Sequence, residues 1–121
     1  MKNKVALIIG AGDSLGSSIA RVFASDGFTV VVARRNGDKL SSLAEEIREN
    51  GGECFFYSLD ARKEDDVINL INKIENEIGE ILVAVYNIGA NIRYGILETT
   101  SRKYYKVWEM AAFGAFLMGR E

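Results

Sequence analysis

Three glycines fall within seven residues, Gly10, Gly12 and Gly16, between the apolar run Val5 to Ile9 and a stretch whose apolar residues recur at helical spacing. A strand that enters a helix through such a turn leaves backbone N–H groups unpaired at the positive end of the helix dipole, and glycines let an anion reach them without meeting a Cβ. The chemistry this suits is the grip of a phosphate or diphosphate, with Gly10, Gly12, Asp13, Ser14, Leu15 and Gly16 as the cradle. A plainer use of the same glycines is a tight turn that needs positive φ; the strand, turn, helix, strand context favours the phosphate. The G-x-G-x-x-G fingerprint would need glycine at position 15, where Leu15 stands, and the glycine arrives one residue later. Further along, the β-branched run Thr29 to Val32 ends in Ala33-Arg34-Arg35. Guanidinium groups at a strand end either pair bidentately with a phosphate or serve as solubilising charge. Asp60 follows the next extended run and offers a carboxylate acceptor or a helix cap.

These residues act together only if separate elements end side by side, and the chain's pattern predicts that they do. Val5 to Ile9 is continuously apolar and stops at glycine, as a strand buried on both faces would. Ile19, Val22 and Phe23 mark a helix closed by Gly27, and Leu40, Leu43, Ala44 and Ile47 mark a second, begun near Asn36 or Asp38 and stopped by Gly51-Gly52. Val67, Leu70, Ile71, Ile74 and Ile78 line a third that ends at Gly79. Strands are expected at Thr29 to Val32, Cys54 to Leu59 and Ile81 to Tyr86. From Ser101 a last helix presents Tyr105, Trp108, Ala112, Ala115 and Phe116, expected as part core and part contact surface. Strands alternating with helices of this length pair in parallel through right-handed crossovers. The expected fold class is therefore α/β, a Rossmann-like doubly wound parallel sheet of strand order 3-2-1-4, incomplete at its C-terminal side, with residues 1–121 as one nucleotide-binding domain.

At 121 residues, 48% hydrophobic and 26% charged, the composition is that of a single globular domain. A formal net charge of -2, with both signs interspersed, argues against a nucleic-acid partner. Cys54 is the lone cysteine and histidine is absent, which removes a disulfide framework and the usual zinc or triad ligands; a reducing, cytoplasmic compartment is expected and no metal. The apolar run at Val5 is too short for a signal-peptide core or a membrane span, so no membrane partner is expected.

Ile9-Gly10-Ala11-Gly12-Asp13-Ser14-Leu15-Gly16 resembles the T-G-x-x-x-G-x-G turn of the short-chain dehydrogenases/reductases, with Ile9 in place of the threonine and Ser14 in place of the middle glycine. Ser58-Leu59-Asp60-Ala61 is similar to that family's Asp-Val step, and Val85-Tyr86-Asn87-Ile88-Gly89 resembles its N-N-A-G signature, Tyr86 replacing the first asparagine. The order and separation of these motifs, spread from residue 5 to about residue 116, carry the resemblance together. It implies hydride transfer between a nicotinamide dinucleotide and a small carbonyl or alcohol substrate, with Asp60 accepting from the adenine amino group and Ala61, Asn87, Ile88 and Gly89 beside the cofactor. NAD-preferring members carry an acid where Arg34 stands, so NADP(H) is expected over NAD(H), with Arg34 and Arg35 on its extra phosphate.

The same resemblance implies a proton-donating tyrosine, a lysine four residues after it and a carbonyl-polarising serine. Tyr104 is followed four residues later by Trp108 and Tyr105 by Glu109, so no catalytic residue is assigned, and the family's helical asparagine falls at Ala111. Only Ala90 to Leu97 is expected near the substrate, and the last helix is expected to join copies into a homo-oligomer. The second reading is a non-catalytic nucleotide-binding or dimerisation module that pairs through that helix.

Overall fold

The computed structural model describes residues 3–12, 14–89 and 92–121; Asp13 and Ala90, both named above, lie outside the described residues. Four strands, β1 (Asn3–Ile9), β2 (Thr29–Arg34), β3 (Glu53–Ser58) and β4 (Gly79–Tyr86), form one parallel sheet in the order β3-β2-β1-β4. The helix α1 (Leu15–Ser25) follows β1, and α2 (Ser41–Glu49) follows β2 after a 3-10 turn at Gly37–Leu40. After β3 comes α3 (Glu64–Lys73), which runs on through a π turn at Ile74–Ile78. Beyond β4 lie α4 (Ser101–Trp108), a second π turn (Glu109–Phe113) and α5 (Gly114–Arg120).

The strand β1 explains the architecture. Its Val5, Leu7 and Ile9 join Val31 and Ala33 of β2 against α3 and Leu117 of α5, while Ala6 and Ile8 join Val30 and Val32 against α1 and α2. Both sheet faces are thus covered, which is why these strands are apolar without alternation. Burying each Val, Leu or Ile side chain contributes about 1.5–3 kcal/mol. Pairing with β2 runs in step from Val5↔Thr29 to Ile9↔Ala33. Against β4 the register slips from Val5↔Ile81 to Ala6↔Val83, so Leu82 is skipped as a bulge and remains 48% exposed.

Element boundaries differ from expectation at a few ends. β4 begins at Gly79, two residues before Ile81, and β3 runs Glu53–Ser58. The Asn36 side chain makes no cap bond, α2 starting instead from the 3-10 turn, whereas the Thr100 hydroxyl caps α4 by accepting from the Lys103 N–H at 3.2 Å. In the last helix the residues named from sequence are not the buried ones. Its buried residues are Gly114 and Leu117, with Phe113 and Met118 packed beside them, while Trp108 is 41% and Phe116 55% exposed and Tyr105 and Ala112 are exposed too. From Met110 to Met118 no residue is polar, so periodicity could not distinguish the face that meets the sheet there. Among the described residues no helix is long and apolar enough to cross a membrane.

Candidate functional site

All four strands point the same way, so their C-terminal ends share one edge of the sheet. β2 lies on one side of β1 and β4 on the other, and the segments that follow the strands gather at this edge. The Gly10 N–H donates to the Ala33 carbonyl at 2.8 Å, and its φ of +88° lies in the left-handed region. A Cβ at Gly10 would run into the Asn87 carbonyl, so conformation and close approach both require glycine there. Asn87 closes the turn from β4: its backbone N–H donates to the Ile9 carbonyl at 2.8 Å and its side-chain amide to the Gly10 carbonyl at 3.2 Å. Gly16 sits against the same loop, where a Cβ would lie 2.7 Å from the Ala11 Cα. Gly12 is different, since a Cβ there would meet nothing within 4 Å. Gly10 and Gly16 therefore hold chain against chain, and Gly12 leaves open space. The first turn of α1 carries no acidic residue and no cap from the Ser14 side chain, which leaves its positive end uncompensated by them.

That open space belongs to a cleft of about 420 Å³. The β1–α1 turn supplies Gly10, Ala11 and Gly12, and the end of β2 supplies Arg34, Arg35 and Asn36. Leu59, Asp60 and Ala61 come from the segment after β3, and Asn87, Ile88 and Gly89 from the segment after β4. The expected residues of four separate loops are thus brought together. Ser14, Leu15 and Gly16 do not line the cleft: Gly16 is buried beneath the turn, and Leu15 is 60% exposed at the start of α1. Ala11, Asn36 and Leu59 are immediate neighbours of residues singled out by sequence. Met110 also lines the cleft, brought there by the π turn after α4, and no local sequence signal marks it.

Charge is arranged around this cleft. The Arg62 Nε donates to Asp60 Oδ1 at 2.9 Å, its Nη2 to Oδ2 at 2.8 Å, and its backbone N–H to Oδ1 at 3.1 Å. Those bonds outweigh the cost of burial and hold the Asp60 carboxyl down at a pKa of about 2. Among the described residues neither Arg34 nor Arg35 is in a salt bridge. Tyr86, the residue standing for the family's first asparagine, donates its hydroxyl proton to the Met110 carbonyl at 2.5 Å. Burial, with the Asp60 charge second, pushes its phenol above the ordinary value. A Cβ at Gly114 would run into that hydroxyl, so the Tyr86 ring and the glycine that opens α5 depend on each other. Ala111 lies in the π turn and walls a separate pocket of about 340 Å³ with Ile92, Tyr94 and Trp108.

A family model described as short chain dehydrogenase matches residues 4–121. The chain belongs to the short-chain dehydrogenase family. A short-chain dehydrogenase from Rhodopseudomonas palustris is 46% identical and superposes with a TM-score of 0.93, the match covering 99% of this chain and 56% of that one. An alcohol dehydrogenase from the archaeon Thermococcus sibiricus, solved with 5-hydroxy-NADP, is 30% identical with a TM-score of 0.89, over 97% of this chain and 50% of that one. Among curated relatives, the 2-dehydro-3-deoxy-D-gluconate 5-dehydrogenase of Formosa agariphila is 29% identical over 121 residues, 99% of this chain and 46% of the relative. This short-chain dehydrogenase chain spans 33% to 47% of the length of the curated relatives it matches.

Proposed function

We propose that residues 1–121 are the dinucleotide-binding domain of an NADP(H)-dependent oxidoreductase that transfers hydride between nicotinamide and a carbonyl or alcohol. One observation carries the reading: two arginines, Arg34 and Arg35, stand among the residues that line the same cleft as the open Gly12. In this reading Gly12, at the open mouth of the turn, takes the diphosphate at the positive end of α1, while Gly10 and Gly16 hold the turn in shape beneath it. Arg34 and Arg35 take the 2′-phosphate, since a planar guanidinium matches phosphate oxygens bidentately. Asp60 accepts from the adenine amino group, with Ala61 beside it, and Asn87, Ile88 and Gly89 form the wall toward the nicotinamide end. The structural relative from Thermococcus sibiricus, which holds 5-hydroxy-NADP, supports the choice of cofactor.

The bound cofactor would supply the hydride. The proton is assigned to no residue of 1–121, because Tyr104 and Tyr105 lack a lysine four positions on. The described part of the Ala90 to Leu97 segment exposes Ile92, Tyr94, Ile96 and Leu97, an apolar set suited to the substrate side. The reading extends to a homo-oligomer built on the exposed aromatic face of α4 and α5, and to a reducing cytoplasm in which the buried thiol of Cys54 stays free.

Side-by-side calorimetric titration of NADPH and NADH tests the cofactor choice. NADPH should bind about tenfold or more tightly, and Arg34→Ala should remove most of that advantage while leaving NADH unchanged. Equal or tighter binding of NADH, or undiminished NADPH affinity in Arg34→Ala, overturns it.

A further inference from the structure

We propose that Arg62 is a positioning residue for adenine recognition: its fork holds the Asp60 carboxylate so that one acceptor site faces the cleft, aimed at the 6-amino group of the base. This rests on the reading above that Asp60 meets adenine. A carboxylate has about four lone-pair sites over its two oxygens. Oδ1 receives two bonds, from the Arg62 backbone N–H at 3.1 Å and from Nε at 2.9 Å, and is filled. Oδ2 receives one, from Nη2 at 2.8 Å, and keeps one site. A donor in the cleft therefore meets a single acceptor in a set direction instead of a rotating group.

Asp60 lines the cleft and Arg62 does not, so Arg62 acts through its partner. Its own position is set locally. The backbone N–H that binds Oδ1 ties the arginine to the turn in which the Lys63 N–H donates to the Asp60 carbonyl at 3.0 Å. On its far side Nη1 stands 3.9 Å from Glu109 Oε1, at the start of the π turn whose Met110 also walls the cleft. Lysine cannot reproduce this, because a point charge lacks the two parallel donors of the fork. A base with an oxygen in place of the 6-amino group would set acceptor against acceptor at Oδ2.

The test compares NADPH with its hypoxanthine counterpart, which carries that oxygen, by calorimetric titration of the wild-type chain, Arg62→Lys and Arg62→Gln. Wild type should favour NADPH by about tenfold, and both variants should bring the ratio below about threefold, mainly through weaker NADPH binding. The ratio is taken within each protein, so partial unfolding, which lowers both affinities alike, cannot imitate the result. Variants that keep the wild-type ratio overturn the role of Arg62. A wild-type ratio near one overturns the assignment of Asp60 to adenine and this proposal with it. The preference for NADPH over NADH stays a separate measurement, so the two readings fail separately.

Discussion

Asp60 stays ionised far into acid because Arg62 donates to both of its oxygens, and a carboxyl depressed in the folded chain stabilises the fold only where the unfolded chain would also be ionised. With the folded value near 2 against an ordinary 3.8, the contribution is present above about pH 4 and is lost as pH falls toward 2. It amounts to about 2 kcal/mol. Urea denaturation of wild type and Asp60→Asn should show the largest stability gap near pH 6, narrowing between pH 4 and pH 2; a gap independent of pH would contradict the pairing. At Gly114 the effect is steric. Gly114→Ala should cost about 1–3 kcal/mol, because the methyl meets the Tyr86 hydroxyl. Tyr86→Phe removes that oxygen and should recover part of the loss in a double-mutant cycle, while the Ala61 carbonyl, 3.1 Å from the added Cβ, keeps recovery incomplete.

Between β1 and α1 the same residue type does two jobs, and substitution should separate them. Gly10→Ala forces a side chain into a left-handed φ and onto the Asn87 backbone, so it should lower the melting temperature as well as nucleotide affinity. Gly12→Ala meets no neighbour and should leave melting nearly unchanged while weakening NADPH binding. Equal thermal losses in the two variants would refute this division. Both glycines are conspicuous in sequence, yet only their surroundings tell them apart: one packs under a strand end 77 residues away in the chain, and the other faces empty cleft. At the other end of the chain, α4 and α5 show the limit of periodicity. Apolar residues on two faces left the orientation to be decided by Tyr86, whose bulk is admitted only where Gly114 stands.

At the scale of the whole chain, α4 to α5 present a chain of rings among the described residues. Tyr105 and Trp108 have centroids 5.4 Å apart, Trp108 and Phe113 5.6 Å, and Phe113 and Phe116 6.3 Å. An exposed apolar face of this kind favours association. Sedimentation velocity on the chain should show a concentration-dependent rise in mass, and Trp108→Lys with Phe116→Lys should lower it. A wild-type chain that remains monomeric at the highest concentrations would refute the assembly face. Cys54, sealed in the core at 1% exposure with its thiol pushed up to about 11 by burial, should resist alkylation until the chain unfolds.

Local information sufficed for the alternation of strands and helices, the strand order and most of the residues at the cleft. Buried parallel strands must be apolar on both faces, and a turn between strand and helix must be glycine-rich, so both constraints are written in short contiguous segments. Gly10, Arg34, Asp60 and Asn87 were legible because each stands at the end of its own strand, and parallel strands bring their ends together whatever else the chain does. Tertiary structure alone decided which face of the last helix turns inward, that Met110 reaches the cleft and that Gly16 lies beneath the turn while Gly12 opens it. These depend on steric fit and hydrogen bonds between residues distant in the chain, such as the Tyr86 hydroxyl on the Met110 carbonyl, for which hydrophobic spacing carries no record.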